Sequence, residues 1–121
     1  MKVAIVGSRS VGEDVYPCIL ENLPDNVTEI ISGGAAGVDA LAERLSRERH
    51  LPIRVFPPDY SDGSGKLAPL KRNTQIVQAA DLILVFWDGV SRGSQHVISE
   101  SMRLGKPLRL IRVSPTSEET Q

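Results

Sequence analysis

Three short clusters rich in glycine, serine and charged residues are the parts of this sequence best suited to bind a ligand. They occupy residues 7–9, 32–39 and 88–94. Glycine tolerates positive φ angles and close backbone approach, so several N–H groups can converge on an anion where a helix begins. A tight strand-to-helix turn explains one such cluster equally well. Two of them at one edge of a fold favour a cradle for a phosphate or a carboxylate.

Basic side chains accompany the clusters and indicate the charge of the ligand. Arginine forms charge-assisted, often bidentate hydrogen bonds with phosphate oxygens. The chain as a whole has a formal net charge of -1, unlike proteins that coat nucleic acid through bulk positive charge. We therefore expect an anionic small molecule as the partner rather than nucleic acid. The basic residues of this set are Arg9, Lys66, Lys71, Arg72 and Arg92, of which the two lysines are better explained as solvated surface charges.

Apolar runs alternate with amphipathic stretches along the chain. Strands are predicted at residues 3–6, 28–31, 52–56, 81–87 and 107–113, and helices within residues 13–23, from 38 onwards, 70–79 and 94–104. Because parallel strands need crossover connections, this alternation predicts a three-layer α/β/α Rossmann-like fold with a mostly parallel sheet of about five strands. We expect one domain over residues 1–113 and a polar tail over residues 114–121. Ligands bind beyond the carboxyl ends of such strands, where all three clusters fall.

The tryptophan, histidine and cysteine residues give few indications of a catalytic or metal site. Trp87 ends the predicted fourth strand, and its ring can wall a base-binding pocket, although core packing is the more frequent use of tryptophan. His50 and His96 lack the partners that catalysis would need. Cys18 is the single cysteine, and no Cys or His spacing is typical of a metal site. The sequence therefore predicts no disulfide, no metal and no cofactor.

The start of the chain has none of the features of an exported protein. Its apolar run over residues 3–6 ends at Gly7, which is too short for a signal peptide or a membrane span. We therefore expect a cytoplasmic protein without a membrane partner.

Four segments together carry a family resemblance. They are VAIVGSR at residues 3–9, SGGAAGVDALA at residues 32–42, Arg72-Asn73, and FWDGVSRGS at residues 86–94. In this order they resemble the YspA-related branch of the SLOG superfamily. The resemblance implies a Rossmann-like fold and the binding, sensing or processing of nucleotide-derived ligands, and it allows for a homodimer. Related SLOG branches include the LOG phosphoribohydrolases, molybdenum-cofactor carrier proteins and DprA.

The candidate ligand-binding residues combine the resemblance with the reasoning from residue types. The resemblance places ligand loops at residues 7–9, 33–39 and 91–94. The complete set is Gly7, Ser8, Arg9, Gly33, Gly34, Ala35, Gly37, Val38, Asp39, Arg72, Asn73, Trp87, Asp88, Ser91, Arg92, Gly93 and Ser94.

Catalysis is less well supported than binding. Arg72 looks like the catalytic Arg of LOG enzymes, but the resemblance places Val97 where those enzymes have a Glu, and valine cannot transfer a proton. The leading hypothesis is therefore the binding or sensing of a nucleotide or nucleotide-derived phosphate ligand. Hydrolysis of an N-glycosidic bond in a nucleoside monophosphate, with Asp39, Asp88 or Glu100 as the acid, is the second hypothesis. Single-stranded DNA binding similar to that of DprA is the third.

Overall fold

The computed structural model describes residues 1–114 and shows one five-stranded, entirely parallel sheet. The strand order is β3-β2-β1-β4-β5. The strands are β1 Lys2–Gly7, β2 Glu29–Ser32, β3 Ile53–Val55, β4 Leu82–Trp87 and β5 Leu108–Arg112. The predicted α/β Rossmann-like fold is confirmed. The single-domain assignment stays a prediction, and nearly all of the expected tail lies outside the described residues.

Helices cover both faces of the sheet. The helices are α1 Tyr16–Asn22, α2 Val38–Arg49, α3 Ala68–Ala79 and α4 Arg92–Arg103. The apolar side chains of α1 and α2 pack on one face and those of α3 and α4 on the other. This gives the three expected layers. None of the helices within residues 1–114 has the length and apolar character needed to cross a membrane.

The central strands are apolar throughout because both of their faces are buried. In β1, Val3 and Ile5 face α1 and α2, whereas Ala4 and Val6 face α3 and α4. The edge strands β3 and β5 are more exposed, and Leu110 of β5 is half exposed. The core therefore lies around β1 and β4, and it fixes the loops that follow these two strands.

Two helices begin earlier than predicted. Helix α3 begins at Ala68, with Pro69 in its first turn, where a missing N–H does no harm. Helix α4 begins at Arg92 rather than at Ser94, and Ser91 is its N-cap. The early start of α4 brings the unpaired N–H groups of its first turn to the carboxyl edge of the sheet.

The strand order reverses direction between β1 and β4, and the chain is tightly packed there. The N–H of Ser8 donates to the carbonyl oxygen of Phe86 at 3.0 Å. Gly7 allows this approach, because a Cβ at position 7 would collide with the same carbonyl oxygen. The loops that follow β1 and β4 therefore separate beyond the contact between Ser8 and Phe86, and a crevice lies between them.

Candidate functional site

A cavity of about 590 Å³ lies at this reversal point. The loops after β1, β2 and β4 and the helices α2, α3 and α4 contribute to its walls. Thirteen of the predicted ligand-binding residues line it, namely Gly7, Ser8, Arg9, Gly33, Ala35, Asp39, Arg72, Asn73, Asp88, Ser91, Arg92, Gly93 and Ser94. The sequence thus predicted which residues the fold brings together, and their contact with a ligand stays a prediction.

Four predicted residues lie outside the cavity lining. Gly34 follows Gly33 on the exposed side of the β2 loop, and Val38 is fully buried in the core. Gly37 has φ 68°, and a Cβ there would collide with the backbone of Ser8. Trp87 packs against the core below α3 and α4 and donates from Nε1 to the carbonyl oxygen of Ser91 at 3.0 Å. These residues shape the loops, and the core alternative considered for Trp87 fits its position.

A hydrogen-bonded clamp holds the loops after β1 and β4 together. Asp88 Oδ1 accepts from the N–H groups of Val90 and Ser91, both at 2.9 Å, and Oδ2 accepts from Ser10 Oγ at 3.2 Å. The N–H of Asp88 donates to Ser8 Oγ at 2.9 Å, and the Ser8 and Ser91 hydroxyls share a hydrogen bond at 3.1 Å. Burial alone would raise the pKa of Asp88, but these donors outweigh it and lower the pKa. Its negative charge therefore stabilises the loop.

The opposite wall contains a second carboxylate with fewer partners. Asp39 is 6% exposed, and its Oδ2 accepts from the N–H of Ala35 at 3.1 Å. Its Oδ1 is buried and has no hydrogen-bond partner within residues 1–114. Burial raises the pKa of Asp39 to about 6, against the opposing effects of the Ala35 N–H and of the charges on Arg72 and Arg9. Asp39 is thus a buried acceptor on the cavity wall.

Arg72 is anchored in the same wall. Its Nη1 donates to the carbonyl oxygens of Gly33 at 2.8 Å and Phe56 at 3.3 Å, and its Nε donates to Asn73 Oδ1 at 2.9 Å. Burial, with the nearby charge of Arg9, lowers the pKa of the Arg72 guanidinium, while Asp39 raises it. The guanidinium stays charged, because even a lowered arginine pKa lies far above neutral pH. Arg72 therefore contributes a fixed positive charge to the cavity.

Asn73 joins α3 to the start of α4, a role that the sequence did not reveal. Its Nδ2 lies 3.5 Å from the carbonyl oxygen of Gly93 and 3.2 Å from His96 Nδ1. The residue is 6% exposed. Its amide thereby fixes the distance between the wall that carries Arg72 and the loop that carries Arg92.

Sequence reasoning also missed the apolar wall of the cavity. That wall consists of Val6, Pro69, Leu70, Ile76 and Val97, and Ser10 and Val90 complete the lining. Apolar residues that recur every three or four positions in α3 and α4 could have indicated this wall, because they lie on one face of each helix. Val97, which the resemblance aligns with the LOG glutamate, lies on this apolar wall.

Several other candidates lie away from the cavity. Lys66 and Lys71 are exposed and do not line it, and Lys71 Nζ lies 3.4 Å from Asp62 Oδ2. Glu100 accepts from Arg103 and Thr74, which lowers its pKa to about 2. Within residues 1–114, no group of three His, Cys, Asp or Glu residues is arranged to hold a metal ion.

Comparison with known proteins finds similarity to proteins described as DNA-processing proteins. The family model for DNA recombination-mediator protein A matches residues 1–59. The X-ray structure of DNA processing protein A (DprA) from Streptococcus pneumoniae superposes with a TM-score of 0.74 and 19% sequence identity over 93% of this chain. At that identity the likeness shows a shared fold. The chain spans only 50% of the length of that DprA chain.

These matches overturn two expectations from the sequence. The leading hypothesis of nucleotide binding or sensing is wrong, because the matched family and structure are described as recombination-mediator and DNA-processing proteins. The expectation of a small-molecule partner rather than nucleic acid is wrong for the same reason. The error came from the use of net charge to exclude nucleic acid, because net charge averages over the whole surface and outweighed the local group formed by Arg9, Arg72 and Arg92.

A phage protein provides the family assignment. The Gene 61 protein of Mycobacterium phage D29 is 33% identical over 84 residues, which are 65% of this chain and 67% of the phage protein. The family model and the structural match agree on a DprA-related, SLOG-like Rossmann fold. The chain therefore belongs to the same family as the phage Gene 61 protein.

Proposed function

We propose that this chain is a DprA-like DNA-processing module that binds single-stranded DNA in the cavity at the carboxyl edge of its sheet. The observation that carries the proposal is the concentration of Arg9, Arg72 and Arg92 around one concave site in a protein of net charge -1. A cytoplasmic location is part of the proposal. The narrower placement in the YspA-related branch stays a prediction.

The electrostatics of the cavity support a polyanionic ligand. Arg9 and Arg92 are exposed at its rim, whereas Arg72 is half-buried in its wall. The lining contains these three arginines against two carboxylates, Asp88, which three hydrogen-bond donors engage, and Asp39, whose pKa burial raises to about 6, so a positive excess remains. The N-terminal turn of α4 adds the positive end of a helix dipole beside Arg92. Successive phosphates of one strand can therefore contact the rim.

The dimensions of the cavity favour a single strand over a duplex. A volume of about 590 Å³ is within the range of small-ligand pockets, so individual nucleotides can enter, whereas a base-paired helix cannot. The wall formed by Leu70, Ile76 and Val97 provides an apolar surface for a base. No aromatic side chain of the described residues lines the cavity. We therefore expect phosphate contacts to contribute more to affinity than base stacking does.

Fluorescence anisotropy with a labelled single-stranded oligonucleotide tests the proposal. We expect binding that weakens steeply with salt, because each phosphate contact with a single strand contributes about 0.7 to the slope of log affinity against log salt. Replacing both Arg9 and Arg92 by alanine should reduce that slope by about 1.4 and weaken binding at least about tenfold.

The matched control removes the same charge elsewhere. Arg47 and Arg49 lie exposed in the last turn of α2, at the opposite edge of the sheet. The double variant Arg47→Ala, Arg49→Ala should bind almost as the wild type does. Absence of oligonucleotide binding by the wild type, or an equal loss in both double variants, would overturn the proposal.

A further inference from the structure

The least satisfied polar atom in the cavity wall is Oδ1 of Asp39. The residue is 6% exposed, and within residues 1–114 this is the one buried side-chain oxygen or nitrogen without a hydrogen-bond partner. A buried acceptor without a donor is unfavourable by about 1–3 kcal/mol. Such atoms are rare in native proteins and call for an explanation.

The neighbours of Asp39 do not provide the missing donor. Arg72 directs Nη1 to the carbonyl oxygens of Gly33 and Phe56 and Nε to Asn73. No Arg72–Asp39 ion pair within 4.0 Å is present among the described residues. The carboxylate is therefore held next to a cation without a direct bond to it.

Gly33 lets the backbone of the β2 loop lie close to both groups, because there is no room for a side chain at this position. A Cβ at position 33 would lie 2.8 Å from Arg72 Nη1 and 3.0 Å from Asp39 Oδ2. Gly33, Asp39 and Arg72 all line the cavity. The carboxyl group of Asp39 therefore borders the space that an occupant of the cavity would fill.

We propose that Asp39 is a specificity-determining residue that accepts a hydrogen bond from the exocyclic amino group of a DNA base, so that the cavity prefers cytosine to thymine. This inference rests on the proposed binding of single-stranded DNA. Cytosine, adenine and guanine carry an exocyclic amino group, whereas thymine has a carbonyl oxygen at the place where cytosine has its amino group. A thymine oxygen would face the carboxylate oxygen and leave both acceptors unpaired.

Cytosine and thymine provide the cleanest comparison, because both are single-ring bases. Two labelled oligonucleotides of equal length, oligo-dC and oligo-dT, are titrated with the wild-type protein at about pH 8, where Asp39 is ionised because its pKa of about 6 is lower. We expect about tenfold tighter binding of oligo-dC, which corresponds to about 1.4 kcal/mol. This comparison needs no variant and does not depend on the folding of one.

The variant Asp39→Asn should invert the preference. The N–H of Ala35 donates to Oδ2 and will keep the amide oxygen of Asn at that position. The amide NH₂ then takes the place of Oδ1 and presents a donor, which suits the carbonyl oxygen of thymine. Glu43→Gln is the matched control, because Glu43 lies one turn further along α2 and outside the cavity lining. It should keep the preference for oligo-dC.

The possible results separate this inference from the proposed function. Equal binding of both oligonucleotides by the wild type overturns the role of Asp39 and leaves the proposed DNA binding in place. Equal binding is also the expected result if Oδ1 accepts a hydrogen bond only from a terminal sugar hydroxyl. A preference for oligo-dC that survives in Asp39→Asn overturns the inference as well. If neither oligonucleotide binds, both the inference and the proposed function are wrong.

Discussion

The two walls of the cavity each carry an aspartate, and the two aspartates are held in opposite ways. On the wall formed by the loops after β1 and β4, Asp88 accepts from two backbone N–H groups and from the Ser10 hydroxyl. On the wall formed by the β2 loop and α2, Asp39 accepts one hydrogen bond from Ala35 and has one buried oxygen without a partner among residues 1–114. The first wall is complete without a ligand, and the second is not.

The ionisation of the two carboxyls reflects this difference. Hydrogen-bond donors lower the pKa of Asp88 in spite of its partial burial, whereas burial raises the pKa of Asp39 to about 6. A carboxylate whose oxygens all accept hydrogen bonds stabilises the fold. A carboxylate with an oxygen that lacks a donor can still accept a hydrogen bond. We therefore expect Asp88 to matter most for stability and Asp39 for recognition.

The largest effect expected from this comparison is the loss of stability in Asp88→Ala. The substitution leaves the N–H groups of Val90 and Ser91 without their acceptor and releases the Ser10 hydroxyl. Hydrogen bonds to charged groups are worth about 1.5–3 kcal/mol each, so the free energy of unfolding should fall by about 3 kcal/mol. Urea unfolding followed by circular dichroism measures it. A fall below about 0.5 kcal/mol, the range of ordinary surface substitutions, would show that the clamp does not stabilise the loop.

Asp39 should make the stability of the wild type depend on pH. Its pKa is raised from the ordinary aspartate value of 3.8 to about 6 in the folded protein, so the native state binds the proton more tightly than the unfolded chain does. The resulting stabilisation is fully present below about pH 4 and is lost as the pH rises through about 6. The loss can reach about 3 kcal/mol, because one pKa unit corresponds to about 1.36 kcal/mol.

Urea unfolding of wild type and Asp39→Asn between about pH 4 and pH 8 measures this loss. The variant has no ionisable group at position 39, so the fall assigned to Asp39 should be absent from its profile. Three other charged groups act on this carboxyl, namely Arg9 and Arg72, which favour its ionised form, and Glu43, which opposes it. Glu43→Gln should retain most of the fall. Parallel profiles for wild type and Asp39→Asn would contradict the assignment.

The sequence predicted the fold better than it predicted the ligand. Continuous apolar runs such as residues 3–6 and 82–86 identify strands that are buried on both faces, and turn clusters after them fix where the loops converge. The start of α4 was placed two residues late, because Arg92 and Gly93 have no apolar periodicity. Local patterns thus define the elements and the edge at which a site forms.

The interior of the site depends on tertiary contacts that no local pattern encodes. The missing partner of Asp39 and the bridge made by Asn73 to His96 arise only when α2, α3 and α4 meet around the cavity. Trp87 illustrates the opposite case, since it adjoins Asp88 in the chain and yet lies outside the cavity lining. Neighbouring residues in a loop can therefore have separate roles, one in packing and one in the site.

Two glycines that line the cavity provide a further test of the difference between its two walls, and the expected effect on stability is smaller. In Gly33→Ala the new methyl group would lie 2.8 Å from Arg72 Nη1 and 3.0 Å from Asp39 Oδ2, so one of these groups must move. We expect a loss of about 1–2 kcal/mol in the free energy of unfolding, together with weaker oligonucleotide binding. Gly93→Ala is the matched control, because nothing lies within 4 Å of its Cβ and alanine favours the helix. A loss of stability in Gly93→Ala as large as that in Gly33→Ala would show that steric conflict with Asp39 and Arg72 is not the cause.

The smallest effect is expected outside the cavity, at Lys71. This residue belongs to the basic set of the sequence analysis, where a solvated surface charge was its favoured interpretation, and it is exposed, does not line the cavity and lies 3.4 Å from Asp62 in a surface ion pair. Solvent and salt screen such a charge, so Lys71→Ala should change the affinity for single-stranded DNA by less than about twofold. Fluorescence anisotropy titrations measure the affinity of Lys71→Ala for the oligonucleotide and compare it with that of the Arg9→Ala, Arg92→Ala double variant. If Lys71→Ala weakens binding as much as the loss of the two arginines, the strand must leave the cavity across the loop over residues 57–67, and the contrast between the two walls would no longer describe the whole binding surface.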